Sequence, residues 1–249
     1  SLSAKVSLEQ KDNRLRLDNL QGSVAGGSLQ GNIAVALGTA GSAGGGAGEV
    51  KGEPGYEADL VLSNAELARL LLPASATAQQ RKDIGEGRVT ATLAVQQTYG
   101  AHPDRTGRGE LIVRDGLLYN VPLAMGLLQL VTLRLPVARS FTGASMSYYL
   151  RDNKVTFEKI LLESPGINLA GAGTLSLGNK SLDLNFVTQS PHELDIPILS
   201  TILRQTRNEL LQLSVTGTLD SPKVTPVPLG AIAGTLRAFL PHKSAANGE

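Results

Sequence analysis

Apolar and polar residues alternate with period 2 along most of this chain, the spacing expected of strands with one buried face. Leu15 and Leu17 alternate with Arg16 and Asp18, and Ile33, Val35 and Leu37 share one face of the next stretch. Tyr56, Ala58, Leu60 and Leu62 are interleaved with Glu57, Asp59 and Val61. Val89, Ala91, Leu93 and Val95 repeat the pattern. Leu111 and Val113 precede Asp115-Gly116, a dipeptide suited to a type I′ turn, which predicts a hairpin returning through Leu117, Tyr119 and Val121. Met146, Tyr148 and Leu150 run through the polar turn Arg151-Asp152-Asn153-Lys154 into Val155 and Phe157. Leu175 and Leu177 lead through Gly178-Asn179-Lys180 to Leu182, Leu184 and Phe186, and Leu211, Leu213 and Val215 close the series.

The pattern yields about a dozen strands, mostly in hairpins, and so an antiparallel meander rather than βαβ units. At about 4.8 Å per strand, such a sheet is on the order of 55–60 Å wide. Open twisted sheets rarely exceed about ten strands without curling or splitting. Closure into a barrel, folding into a sandwich and curling into a trough all satisfy the pattern. Helical spacing interrupts it in three places. Asn64 can cap a helix over 65–72 that Pro73 stops; 123–131 is apolar nearly all round; and 196–211 carries Ile198, Leu199, Ile202 and Leu203. A fourth helix is expected over 228–240, after Pro222, Pro226 and Pro228.

Composition narrows the function classes. Of 249 residues 41% are hydrophobic and 18% charged, enough apolar material for a core. Net charge is +1, so no global basic field recruits nucleic acid. There is no cysteine, which excludes a disulfide framework, a thiolate-bound metal and a cysteine nucleophile. Ser1 opens the chain without an initiator Met, a basic stretch or an apolar run, so any targeting or anchoring segment is expected outside these residues.

Motifs for chemistry fail residue by residue. The tract over 39–48 is Gly/Ala/Ser-rich, but Ala47 follows Gly46 and Glu49 follows Gly48, so it lacks the Lys of a phosphate loop and reads as a flexible hairpin loop. His102, His192 and His242 are dispersed, without a second ligand at helical spacing. Gly143-Ala144-Ser145-Met146-Ser147 lacks the closing glycine of a nucleophile elbow. No cofactor or metal is expected, and no enzyme. The weakly charged run 116–136 is long enough to span a bilayer. Because Pro122 and Pro136 bracket it and its first part alternates, it reads as a strand followed by a buried helix.

Three segments resemble the C-terminal region of the AsmA-like family of bacterial envelope proteins, relatives of TamB and of the eukaryotic bridge-like lipid-transfer proteins. The first runs from Gly107-Arg108-Gly109-Glu110-Leu111 through Asp115-Gly116 to Val121-Pro122-Leu123, similar to a glycine-marked strand pair followed by an apolar helix. The second, Ala170-Gly171-Ala172-Gly173-Thr174-Leu175 with Leu182-Asp183-Leu184, is similar to a recurrent hairpin. The third, Val215-Thr216-Gly217-Thr218-Leu219 with Pro222-Lys223-Val224, resembles a terminal strand. Residues 101–228 match best and 1–100 more loosely. The expected organisation is one elongated β-rich domain over 1–240, ending in the helix 228–240, with a flexible tail over 241–249.

The resemblance implies a protein anchored in the inner membrane with its bulk in the periplasm. There a wide curled meander forms a groove or half-open barrel for phospholipid movement and outer-membrane maintenance. Its apolar lining is expected from Leu111, Val113, Leu117, Tyr119, Met146, Tyr148, Val155, Phe157, Leu175, Leu177, Leu182, Leu184 and Phe186. Partners implied are phospholipid or another lipid, with a membrane surface or envelope protein meeting 228–240, and no nucleic acid. Physics permits such a groove. A buried methylene contributes about 0.8 kcal/mol, so an acyl chain of about fifteen resists water by about 12 kcal/mol and needs shelter rather than chemistry. The alternative for the same residues is a structural or adhesion β-sandwich with a filled core and no lipid.

Overall fold

The computed structural model describes residues 2–9, 13–37, 53–73, 75–79, 81, 87–99, 103–118, 123–124, 126–127, 141–189 and 212–227. Alternation becomes twelve strands: β1 (Leu2–Glu9), β2 (Arg14–Val24), β3 (Gly27–Ala36), β4 (Gly55–Glu66), β5 (Arg88–Thr98), β6 (Asp104–Arg114), β7 (Gly143–Arg151), β8 (Lys154–Glu163), β9 (Asn168–Ser176), β10 (Leu182–Gln189), β11 (Gln212–Thr218) and β12 (Ser221–Val227). They form one sheet in chain order, each pairing antiparallel with the next. β1 and β12 are its two edges, so among the described residues the sheet is neither closed into a barrel nor split into a sandwich.

Short turns set this order, because a strand that reverses within two residues has only its predecessor to pair with. Ala25 and Gly26 turn between β2 and β3 with φ of 50° and 78°, the two positive values a type I′ turn requires. Asp152-Asn153 joins β7 to β8 as the polar turn predicts, and Leu219-Asp220 joins β11 to β12. Pro222 and Pro226 therefore lie in an edge strand rather than in a helix entry, a place where proline is tolerated.

Five irregularities bend the ladder among the described residues, as bulges do. The register slips between Leu17 and Leu20, between Leu62 and Ala65, between Phe157 and Ile160, between Ser147 and Tyr148, and between Ser3 and Lys5. Asn19 and Asn64 occupy the first two with φ of 53° and 57°. Asparagine enters the left-handed region more readily than other chiral residues. That corrects the expectation for Asn64, which shapes a bulge in β4 and caps nothing.

The expected three or four helices are not supported. The one helix described in full is α1 (Leu67–Leu71), five residues long, with Glu66 at its N-cap and no side-chain capping bond. Residues 65 and 66, read as helical, are the end of β4 instead. Of 123–131, only 123–124 and 126–127 fall among the described residues. The stretches 196–211 and 228–240, the loop 39–48, the tail and all three histidines lie outside them.

The Asp115-Gly116 hairpin is a second correction. Asp115 does adopt φ 51°. However, the Gly116 N–H donates to the Thr142 carbonyl (2.8 Å) and Leu118 N–H to Phe141 (3.1 Å). β6 then pairs with β7, not with 117–121. The chain leaves the sheet at Gly116 and rejoins it at Gly143, and Leu118, Leu127 and Phe141 from this excursion are buried. They join Val89, Val113, Leu162, Ile167, Leu169, Phe186, Leu213 and Val215 in a core at one end of the strands.

Candidate functional site

Directly opposed residues of an antiparallel ladder share a face, so the register sorts each strand's side chains. One row crosses β2 to β8 as Leu17, Ile33, Ala58, Val95, Gly107, Leu150 and Val155. The next crosses β2 to β10 as Leu20, Gly31, Leu60, Leu93, Gly109, Tyr148, Phe157, Gly173 and Leu184. A third runs from Leu29 through Leu62, Ala91, Leu111, Met146, Ile160, Gly171, Phe186 and Leu213 to Pro226. No charged residue interrupts these rows. The opposite face carries Gln30, Asp59, Thr92, Arg108, Glu110, Ser147 and Lys159. One side of a sheet on the order of 50 Å wide is thus continuously apolar.

The apolar face has two zones. Where Leu118, Leu127 and Phe141 join the sheet's core, Val113, Leu162, Leu169, Leu184, Phe186 and Leu213 are each 6% exposed or less. Over the middle of β2 to β8, Leu17, Ile33, Leu60, Leu93, Leu111, Met146, Tyr148 and Phe157 are only half-buried. Among the described elements, extensive packing there is between sheet neighbours and of α1 against β4, and Leu111, Met146 and Phe157 also pack against the buried core. A cleft of about 700 Å³ crosses these strands, but its lining is mostly the opposite, polar face, with Gln30, Asn32, Asp59, Thr92, Arg108 and Glu110 beside Leu20, Leu60, Leu93 and Tyr148 of the middle row.

Glycines in these rows mark close approach. A Cβ at Gly109 would lie 2.2 Å from the Thr92 carbonyl oxygen and 2.6 Å from the Tyr148 hydroxyl, and one at Gly171 would lie 2.4 Å from the Phe186 ring. Both Gly-x-Gly segments therefore let a neighbouring aromatic lie across the strand. Tyr148 also meets Phe157 edge-on, with ring centroids 6.2 Å apart and planes at 65°.

Burial pushes the Tyr148 hydroxyl pKa above its ordinary value. A folded pKa above the unfolded one means its contribution is complete below the unfolded value, about 10, and is lost as pH rises through the folded one. Melting temperature should therefore fall more steeply above about pH 10 in the native protein than in Tyr148→Phe. Equal slopes in alkaline thermal melts would place the hydroxyl in free solvent.

The thirteen expected lining residues do not all come together. Leu111, Met146, Tyr148, Val155, Phe157 and Leu175 are half-buried on the apolar face, and Val113, Leu182, Leu184 and Phe186 lie in the packed core. Leu117 is 40% exposed beyond the end of β6, and Leu177 is 42% exposed in the turn after β9, so neither continues the face. Tyr119 lies outside the described residues. Leu15, Leu17, Ile33, Val35, Tyr56, Leu60, Leu62, Leu93 and Val95 extend the same face through β2 to β5. Their alternation was visible in the sequence; their membership of one surface was not.

Comparison with known protein-family models, with curated proteins and with solved structures finds no match.

Proposed function

We propose that this chain is a non-enzymatic lipid-handling module that shields phospholipid acyl chains against its apolar face. The observation that carries the reading is the middle of β2 to β8, where large aliphatic and aromatic side chains remain half-buried along one uninterrupted surface. A filled core would cover them, and exposed apolar patches beyond a few hundred Å² mark interaction or ligand surfaces. An acyl chain asks only for such a track, whereas a catalytic reading would need convergent polar groups. The setting proposed with it is the periplasm, with an inner-membrane anchor outside these residues and a role in inter-membrane phospholipid transport and outer-membrane maintenance. It rests on the resemblance of the glycine-marked hairpins.

The rival reading, a structural β-module with a filled core, is favoured at one end only. There Leu127, Phe141, Leu169 and Leu213 have no exposed surface. We assign that end to stability and the half-buried stretch to lipid. Native mass spectrometry after mild purification tests the assignment. Adducts of phospholipid mass, with uptake of a fluorescent phospholipid from vesicles, are expected. A clean apo mass with no uptake would sink it.

A further inference from the structure

Two further clefts, of about 380 and about 700 Å³, open on the polar face of the sheet. Both lie between the same two polar rows. One row crosses the strands as Asp59, Ala94, Arg108, Tyr149, Thr156, Thr174 and Asp183. The other crosses as Glu57, Gln96, Thr106, Arg151, Lys154 and Ser176. The smaller cleft spans β4 to β7 and the larger β7 to β10, and they join at Tyr149 and Arg151.

Cations gather at this junction. Arg151 ends β7 directly opposite Lys154, which opens β8. Like charges directly opposed are destabilising. Arg108 stands opposite Tyr149 and so diagonal to Arg151, and diagonal neighbours about 7–8 Å apart are within reach of long side chains. Among the described residues, none of these three cations makes a side-chain hydrogen bond or ion pair. Arg105 differs, since its Nε donates to the Asp152 carbonyl (2.7 Å). Leu177 N–H donates to the Asn153 carbonyl (2.7 Å), so the β7–β8 turn is held from both sides. Hydroxyls line the same space. Thr156 lies opposite Tyr149, and Thr174 opposite Thr156. Both threonines are only 9% exposed, line the larger cleft and make no side-chain hydrogen bond among the described residues. A buried hydroxyl without a partner is costly. Acidic residues stand further out, with Asp59 and Glu110 beyond Arg108, Asp183 beyond Thr174, and Asp152 in the turn.

We propose that the junction of these clefts binds a phosphate monoester. Three cations suit its charge of about −1.5 to −2 at pH 7 better than they suit a less charged diester. Arg108 and Arg151 present planar donor forks matched to phosphate oxygens, and Lys154 adds a point charge. The Thr156 and Thr174 hydroxyls donate to the remaining oxygens. A bound phosphate thus offsets both unbalanced features at once. It neutralises the opposed Arg151 and Lys154, and it gives the threonine hydroxyls an acceptor. Tyr149, 43% exposed, is left to cover the organic part of the ester. The sheet separates this site from the apolar face, so the proposal holds whether or not that face carries lipid.

Calorimetric titration of the native chain with inorganic phosphate at low ionic strength is expected to show saturable binding. Phosphate should also raise its melting temperature. Arg151→Gln should weaken binding about tenfold or more, the loss of one charge-assisted contact, with far-UV circular dichroism unchanged. Thr174→Val keeps the side-chain shape, removes the hydroxyl and should weaken binding as well. Lys180→Gln, which removes a surface charge paired with Asp220 outside the clefts, should leave binding as it is. Competition reads the source of the group. Glycerol 3-phosphate displacing phosphate better than phosphatidic acid vesicles do assigns a soluble ester, the reverse assigns a lipid headgroup, and each supports the site. Absence of saturable phosphate binding overturns the proposal. So does binding that Arg151→Gln and Thr174→Val leave intact, or that Lys180→Gln weakens as much as Arg151→Gln.

Discussion

Phe186→Ala should destabilise the protein by about 3–5 kcal/mol, the range for emptying a buried phenylalanine site. Phe186 is 1% exposed, opposite Gly171 on one side and Leu213 on the other, with Leu184 and Val215 a position along the same ladders. The sheet backbone holds these neighbours in place, so they cannot collapse into the space the ring leaves. A domain holds only about 5–15 kcal/mol in total, so urea unfolding should shift to a far lower midpoint with little change in slope. Gly171→Ala should also destabilise, since its Cβ would fall 2.4 Å from the Phe186 ring and 2.8 Å from the Asn185 carbonyl. Its cost should shrink in the Phe186→Ala background, with a coupling of about 0.5–3 kcal/mol. A single-variant loss near that of a surface site, within about 0.5 kcal/mol, would mean that the ring is not packed against β9 and β11.

Leu93→Asp separates an open apolar face from a filled one. Leu93 lies opposite Leu60 and Gly109 in the half-buried middle row. If that face is open, the carboxylate stays hydrated and the fold survives, while an acyl chain meets a charge on its track. Phospholipid uptake is then expected to fall by an order of magnitude or more, about 1.4 kcal/mol per tenfold step, with circular dichroism unchanged. A filled core would instead bury an unpaired charge, at a cost of several kcal/mol, and the variant would unfold. Leu184→Asp is the matching control. Leu184 is 1% exposed, so a charge there should unfold the protein whatever the face does with lipid. Full uptake by folded Leu93→Asp, or its unfolding, would each sink the lipid reading.

The two substitutions fall on residues that look alike in sequence. Leu93 and Leu184 are both apolar members of alternating runs, and both point to one face. They differ in what packs with them: Leu184 belongs to a core cluster with Leu118, Leu127 and Phe141, which lie outside either run. The excursion that starts at Gly116 defeated the Asp115-Gly116 reading. A dipeptide with the right turn chemistry reports only that the chain can reverse there. The Gly116–Thr142 bond shows the reversal used to leave the sheet. Asn64 failed for a related reason, since a short polar side chain suits a helix cap and a left-handed bulge equally, and tertiary pairing of β4 with β5 chose the bulge.

What the sequence determined by itself is local. Period-2 alternation fixes which side chains share a face, and short turns fix which strands are neighbours. The twelve-stranded antiparallel sheet and its apolar side follow from those terms, because each depends on residues two to four apart. What the tertiary structure decided depends on residues distant in the chain. Register linked separate alternating runs into rows that cross many strands. Leu118, Leu127 and Phe141, outside every alternating run, joined part of those rows in a packed core, and the middle of the face stayed half-buried.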